Sequence, residues 1–491
     1  VSSELLFEVE QMVLGWAHGG RLSVTTGAAQ FVAVADLEHG SYIGRRSRGG
    51  RAADRVARQA GGERVAVRPN GSIGAGSRHD ARRETMHVLF LAPDTHVYNH
   101  GFVRALAELG VRVSGIGPAP RERLSPALSR WLADYRSCPE ILDVEKLRAA
   151  ADEVHRKVPI GLVETIDEPL VEPAAVLRAH FGLGGLSVET ARLCRDKARM
   201  KEFLRGRGVA CAQSAAAASA DDVRAFVTRE GLPVILKPIA GYGTLQTFLA
   251  RDEAALQAAI TQLAPSSHRR IVVEEFVEGH EGFFDTLIDD HGVRMDFAAH
   301  YYPTCLEALG DRNIAPQIAV TNRIEQDGYR ELRAMAHRVI ELLGLRRAAT
   351  HMEWFFGPKG LKFSEIGARP AGEMIWDMYA VGNEFDVYRE WALTVLGRPK
   401  ERVPSRRYAV GSVQVRPDRD GRFVRHHGLD VVRARYGSWI YDANVPPPGE
   451  ATKGLDKGWL TNTWFRLRHP DYDAVCAAMT DIGRVVRSEA R

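Results

Sequence analysis

The stretch His351–Gly372, HMEWFFGPKGLKFSEIGARPAG, constrains the chain more than any other. Aromatic and aliphatic residues stand between its charged positions on both sides of Gly357-Pro358-Lys359-Gly360, which reads as two short strands and a turn. Glu353 falls in the first strand and Glu365 in the second. A three-residue loop, Pro358-Lys359-Gly360 with Gly360 left-handed, sets the two glutamates directly opposite each other on one face. A two-residue loop sets them on opposite faces, because a slip of one residue turns every side chain over. Facing carboxylates repel unless a cation lies between them. Hard oxygen ligands without Cys or His at ligand spacing point to magnesium, which takes one or two carboxylates together with phosphate oxygens. The alternative is an exposed hairpin whose glutamates face water. Arg369 follows Glu365 by four residues. A permanently charged fork beside a metal pair suits a transferring phosphoryl group, whose transition state spreads charge over its equatorial oxygens. An arginine in a surface loop is the plainer reading, and the rest of the chain has to decide.

The chain has 491 residues, 45% of them hydrophobic, and a net charge of +4. That length suits two to four globular domains. The balanced charge gives no reason to invoke nucleic acid, and no apolar run is long enough to cross a bilayer. Cys138, Cys194, Cys211, Cys305 and Cys476 are scattered, with no C-x-x-C pair. This fits free thiols in a reducing cytoplasm better than a disulfide framework or a zinc site.

Residues 1–85 differ from the remainder. Arg45–Glu84 is rich in Arg, Gly, Ala and Ser, has no Lys, and has almost no large apolar side chain. Such a segment cannot bury enough surface to offset its ordering entropy. It is expected to be a disordered tail, or non-native sequence ahead of a start at Met86. A basic arm for an acidic partner and a transit peptide are the functional alternatives. A chain beginning at Met86 is expected to fold and to keep its activity.

From Met86 the pattern is β-loop-α-β: a buried strand His87–Leu91, a helix Asn99–Leu109 and a strand Val111–Ile116, which implies a parallel sheet. Helix Ile141–Lys157, strand Ile160–Ile166 and helix Pro169–His180 continue it. No G-x-G-x-x-G follows the first strand, which argues against a dinucleotide. Cys194–Gly208 reads as one basic helix, Ala210–Ala220 as a small-residue linker, and Asp221–Glu230 as a helix. Pro233–Pro238 is a strand carrying Lys237, followed at once by Gly241-Tyr242-Gly243-Thr244. A glycine turn exposes N–H groups that can wrap an anion, and a nearby lysine adds a point charge. Ile271–Gly279 is an apolar strand running into acidic residues. Strands Phe283–Asp289 and Val293–Ala299 follow, then an irregular stretch from His300 to Val320 of the kind that often forms a lid. Helices at Gly328–Gly344, Phe385–Gly397 and Tyr472–Val486, and strands at Val410–Val415 and Gly421–Arg425, complete the reading. No internal repeat is visible.

Five motifs stand in order: RDKARMK (195–201), VILKPIAGYGT (234–244), VEEFVEGHE (273–281), HMEWF (351–355) and FSEIGARPAG (363–372). Together they resemble the ATP-grasp superfamily from about Met86 to the C-terminus. The arrangement is similar to biotin carboxylase-like and D-alanine–D-alanine ligase-like enzymes, and to amino-acid ligases ending in E-x-x-x-R-P. The resemblance implies a mixed α/β and α+β fold. A small parallel α/β domain (86–190) precedes an ATP-grasp domain (191–400), whose smaller lobe (about 210–280) and larger lobe (281–400) clamp ATP. Residues 401–491 complete the C-terminal lobe. It implies Lys197 and Lys237 on the phosphates, with Gly241, Gly243 and Thr244 in a loop closing over them. Glu274–Val277 stands at the adenine hinge, where Glu275 and Val277 offer backbone groups. Glu281, ahead of Glu278, takes ribose hydroxyls. Glu353 and Glu365 hold Mg2+, with Mn2+ as the alternative ion, and Arg369 sits at the γ-phosphate and acyl phosphate. Gly367 departs from the E-x-N-x-R of many relatives, where asparagine is a further metal ligand. That leaves one metal site to be completed by water, or the second ion weaker.

The activity implied by the resemblance is that of an ADP-forming ligase in the cytoplasm, joining a small carboxylic acid to an amine, with no nucleic acid or membrane partner. An amino-acid or dipeptide ligase is one form of it, and a homodimer is one assembly. The alternatives are a carboxylase subunit activating bicarbonate for a separate biotin carrier, and a non-catalytic nucleotide-binding module. Substrate selection is expected from His300, Tyr302 and Arg312 in the His300–Asn313 stretch, from Arg369, and from Glu373–Trp376.

Overall fold

The turn between the two glutamate strands holds two residues, not three. Gly357 pairs with Gly360, so Pro358-Lys359 forms the loop, and Gly360 takes the left-handed conformation at φ 75°. That register would set Glu353 opposite Ser364 and turn Glu365 away. A β-bulge between Glu353 and Trp354 leaves Ser364 over, and Glu353 pairs with Glu365 after all. The glutamates share a face through the bulge rather than through the loop length.

The structure, a computed structural model, describes residues 86–241, 246–454 and 461–491, together with the backbone of two paired strands, Leu22–Thr26 and Ala29–Ala33. The expectation of disorder before Met86 otherwise falls on residues outside those described. Residues 1–84 and 85–491 are separate units.

In the second unit, four parallel strands run in the order Asp134–Ser137, Arg112–Gly117, His87–Leu91, Leu162–Glu164. His87–Leu91 is buried throughout, as a parallel strand covered on both faces must be. Its Val88 and Phe90 enter one core and its Leu89 and Leu91 another. Just past the carboxyl end of Leu162–Glu164 a short turn of 3-10 helix, Glu168–Leu170, leads into helix Val171–His180. Glu168 therefore stands beside the crevice where open α/β sheets place ligands.

A second sheet of four antiparallel strands has the order Ser214–Ala217, Ile271–Glu275, Val234–Pro238, Phe248–Ala250. Helices Ala220–Glu230 and Glu253–Leu263 share a core with Val234, Leu236, Ile271 and Val273 on one face. Ile235 and Lys237 alternate with those residues and face the other way. The expected linker Ala210–Ala220 thus supplies an edge strand: its alanines are poor in apolar signal but small enough to pack, and Ala217 is fully buried.

The third sheet has eight antiparallel strands in the order Gly360–Gly367, Ala348–Gly357, His280–Asp289, Gly292–Tyr302, Gln317–Val320, Ala409–Val415, Thr463–His469, Ile440–Asn444. The stretch from His300 to Val320 is not irregular. It holds the end of one strand, the helix Cys305–Gly310 and a further strand. Thr304 and Glu307 start that helix with a reciprocal capping box. The expected helix Cys194–Gly208 is two helices, Val188–Arg195 and Lys197–Arg205. They are broken at Asp196, whose extended backbone lets its carboxylate accept from the Arg199 N–H. Among the described residues no helix is long and apolar enough to cross a membrane.

Candidate active site

A cavity of about 550 Å³ lies between the four-stranded sheet and the Glu353–Glu365 end of the eight-stranded one. Strand Val234–Pro238 points Ile235 and Lys237 into it. Helix Lys197–Arg205 adds Lys197 and, one turn on, Lys201. The N-terminus of that helix is tied down beside the glycine turn: the Lys197 N–H donates to Ile239 O at 3.2 Å and its Nζ to Gly241 O at 2.7 Å. Gly241, Glu274, Glu275, Val277, Glu278 and Glu281 also line the cavity, as do Glu353 and Glu365. Gly243 and Thr244 lie outside the described residues.

Three ammonium groups and two carboxylates alternate along the floor. Lys197 Nζ is 3.0 Å and Lys237 Nζ 3.7 Å from Glu365 Oε2. Lys237 Nζ also reaches Glu274 Oε2 at 3.3 Å, and Lys201 Nζ reaches Glu274 Oε1 at 2.6 Å. Burial would raise the Glu365 carboxyl, but Lys197 and Lys237 outweigh it and hold it at about 2. Glu353 goes the other way, raised by burial and by the charge of Glu365 opposite. Repulsion within a half-buried carboxylate pair of this kind is what a divalent cation relieves. Among the described residues no group of three or more His, Cys, Asp or Glu is set to hold a metal.

Behind Glu353 runs a buried chain that the sequence did not single out. Tyr379 Oη donates to Asp285 Oδ2 at 2.7 Å, Asp285 Oδ1 lies 2.7 Å from His351 Nδ1, and His351 Nε2 is 3.9 Å from Glu353 Oε1. Burial disfavours the imidazolium, but Asp285 overrides it and raises His351. At the far end of the cavity the Cys305 N–H, at the start of its helix, donates to Glu281 Oε2 at 2.6 Å. Burial and the charge of Glu353 nevertheless push Glu281 up to about 8. At the hinge, the N–H of Glu275 is taken by Gln213 O at 2.9 Å.

The expected substrate residues are not brought to this cavity. His300 pairs with Gly282, which pairs with Trp354, so its row lies on the opposite face from Phe283, Ala299 and Glu353. There His300 lies between His280 Nε2 at 2.8 Å and Tyr329 Oη at 2.7 Å. Tyr302, two residues on, meets Tyr472 Oη at 3.0 Å. Tyr301 is the residue that faces the Glu353 side, against Phe283. Arg312 pairs with Asp420 at 2.8 Å, and Trp376 is buried against Phe102. Glu373 and Met374 are consecutive left-handed residues at φ 55° and 63°. Such conformations cost about 1–3 kcal/mol each and collect at functional loops.

Arg369 does not line the 550 Å³ cavity either. Its Nε donates to Glu168 Oε2 at 2.7 Å and its Nη1 to Pro370 O at 2.7 Å. It edges a second cavity of about 430 Å³ with Arg178 and Arg346. Glu168 also accepts from Arg195 Nη1 at 2.8 Å, and Arg195 Nη2 donates to Ala240 O at 2.9 Å. Burial would raise Glu168, but Arg369 and Arg195 hold it below the usual carboxylate range.

Residues 202–380 match the ATP-grasp domain model. Alanine–anticapsin ligase of Bacillus amyloliquefaciens is 25% identical over 247 residues, covering 45% of this chain and 50% of that protein. The chain spans about half the length of the curated relatives it matches. The crystal structure of an L-amino acid ligase from Bacillus licheniformis aligns with a TM-score of 0.67 at 15% identity, over 83% of this chain and 99% of that one. The biotin carboxylase domain of Hydrogenobacter thermophilus 2-oxoglutarate carboxylase, solved with MgADP, ADP and bicarbonate, aligns with a TM-score of 0.57 at 16% identity, over 80% and 88%. At these identities the structural likeness establishes the fold.

Proposed function

Starting from a chain that carries an ATP-grasp domain, we propose that it is an ATP-dependent, ADP-forming carboxylate–amine ligase whose acid substrate is an amino acid. The observation that carries this reading is the Glu353–Glu365 pair lining one cavity together with Lys197 and Lys237, whose ammonium groups both reach Glu365. Ammonium groups opposite a carboxylate pair are what a polyphosphate with its divalent ion needs on either side. Likeness to alanine–anticapsin ligase and to an L-amino acid ligase supports the amino acid.

In this reading Lys197, Lys237 and the Gly241 turn hold the phosphates, and the hinge Glu274–Val277 holds the base. Glu281 faces the ribose hydroxyls. Its high proton affinity lets it donate as well as accept. Glu353 and Glu365 hold Mg2+, which when bound neutralises charge on the phosphates. A carboxylate oxygen of the acid attacks the γ-phosphorus, the bond to the β-phosphate oxygen breaks, and ADP leaves. The amine then adds to the acyl carbon and loses a proton, and phosphate departs as the amide forms. The protein's part is alignment and charge, which lower the barrier without a covalent enzyme intermediate. We assign residues 86–190, 191–400 and 401–491 to the preceding domain, the clamp and its extension.

The test is ADP and phosphate release with MgATP across amino and organic acids, each with and without an amine, with product masses measured. Acid-dependent ADP formation and an amide product are expected. ATP binding without acid-dependent turnover would overturn the ligase reading, and turnover on bicarbonate with biotin would replace it by the carboxylase.

A further inference from the structure

Gly367 is a glycine that its backbone does not require. It lies at the end of strand Gly360–Gly367 and is not among the left-handed glycines, so alanine would suit its conformation. Space is what is short: a Cβ added there would stand 2.9 Å from Glu168 Oε2, so that carboxylate would have to shift. The carboxylate in that space comes from the other side of the molecule, just past the last strand of the parallel sheet. It is bound at both oxygens, by Arg369 Nε at 2.7 Å and Arg195 Nη1 at 2.8 Å, and all three side chains are at least four-fifths buried. Arg195 continues the link to Ala240 O, the residue before Gly241, whose carbonyl takes Lys197 Nζ.

We propose that Glu168 is the positioning residue for Arg369, and that position 367 is glycine to leave room for it. The proposal rests on the ligase reading. In the ligase reading Arg369 serves the transferring phosphoryl group; without Glu168 the two guanidinium groups lose the anion between them and repel, so Arg369 leaves its place just past the end of strand Gly360–Gly367. Glu168 also ties the parallel-sheet domain to the glycine turn. Arg369 is thus set only when that domain is docked.

The test is a double-mutant cycle of Glu168→Ala and Gly367→Ala, followed by initial rates and melting temperatures. Glu168→Ala is expected to lower kcat about 100-fold while KM for ATP stays within about twofold, as for a reacting group displaced by roughly an ångström. Glu168→Gln, which keeps shape and one acceptor, is expected to fall between. It carries the kinetic comparison where the alanine variant melts near the assay temperature. Gly367→Ala is expected to lower kcat in the unsubstituted protein and to add no loss to Glu168→Ala, because the colliding oxygen is then gone. Unchanged kcat in both Glu168 variants, a rise in KM alone, or an equal Gly367→Ala loss in both backgrounds would overturn the proposal. Absence of turnover by the unsubstituted protein counts against the ligase reading instead. The melting-temperature cycle then decides alone: coupled losses support the Glu168–Gly367 contact, and additive losses overturn it.

Discussion

Glu274→Gln is the substitution whose cost follows most directly from the structure. Lys201 is 1% exposed and Glu274 5%, and their charged atoms are 2.6 Å apart. At that distance the attraction is about 6 kcal/mol for an effective dielectric constant of 20, most of it offsetting the burial of both charges. Removing the carboxylate leaves Lys201 buried without its paired carboxylate and Lys237 with Glu365 at 3.7 Å. Breaking a buried pair from one side costs about 3–5 kcal/mol. Lys201→Met should cost less, about 1–3 kcal/mol, because Glu274 keeps Lys237 at 3.3 Å. The double variant should be more stable than Glu274→Gln, since the stranded ammonium is gone. Urea unfolding followed by tryptophan fluorescence, with m-values compared, reads all three. A loss below about 1 kcal/mol for Glu274→Gln, or a double variant no more stable than it, would refute the account.

Two more outcomes are expected. Glu281 is raised from 4.5 to about 8 by burial and the charge of Glu353, so between those values the folded state holds a proton that the unfolded chain releases. Its contribution is fully present below about pH 4.5 and is lost as pH rises through 8. Glu281→Gln, neutral throughout, should therefore show a smaller fall in melting temperature from pH 5 to pH 8.5, and equal slopes would refute this. Glu353→Gln or Glu365→Gln should raise the Mg2+ concentration for half-maximal turnover severalfold; an unchanged requirement in both would show that neither carboxylate meets the ion.

Elements with a continuous apolar run, such as His87–Leu91, were legible because burial on both faces leaves a strong local signal. Asp134–Ser137, Ser214–Ala217 and Phe248–Ala250 were not. They are three or four residues long, and neighbouring strands rather than their own composition hold them in place. Thr304 and Glu307 carry a readable capping box, but the stretch around them shows no period and reads as a lid. Lys201 carries no signal for a related reason: a lysine on a basic helix reads as solvated, and its partner Glu274 comes from the distant strand Ile271–Glu275. Glu168 had no local signal at all, since its partner Arg369 is 201 residues away.

Two further placements turn on parity. In a strand one residue decides which face a side chain takes, and loop length and bulges each shift that count by one. At the glutamate hairpin two shifts cancel: the two-residue loop alone would part the glutamates, and the bulge at Ser364 restores their shared face. At His300 nothing cancelled, so Tyr301 rather than His300 or Tyr302 turned toward Glu353. Period-two alternation settles such cases where one face is wet. Strand His280–Asp289, which links both positions, is buried at eight consecutive residues from Glu281 to Ile288, so its two faces read alike. The motif glutamates could be placed because they needed only each other. The faces of His300 and Tyr302 could not, because they are fixed by counting through a strand that carries no alternation to count.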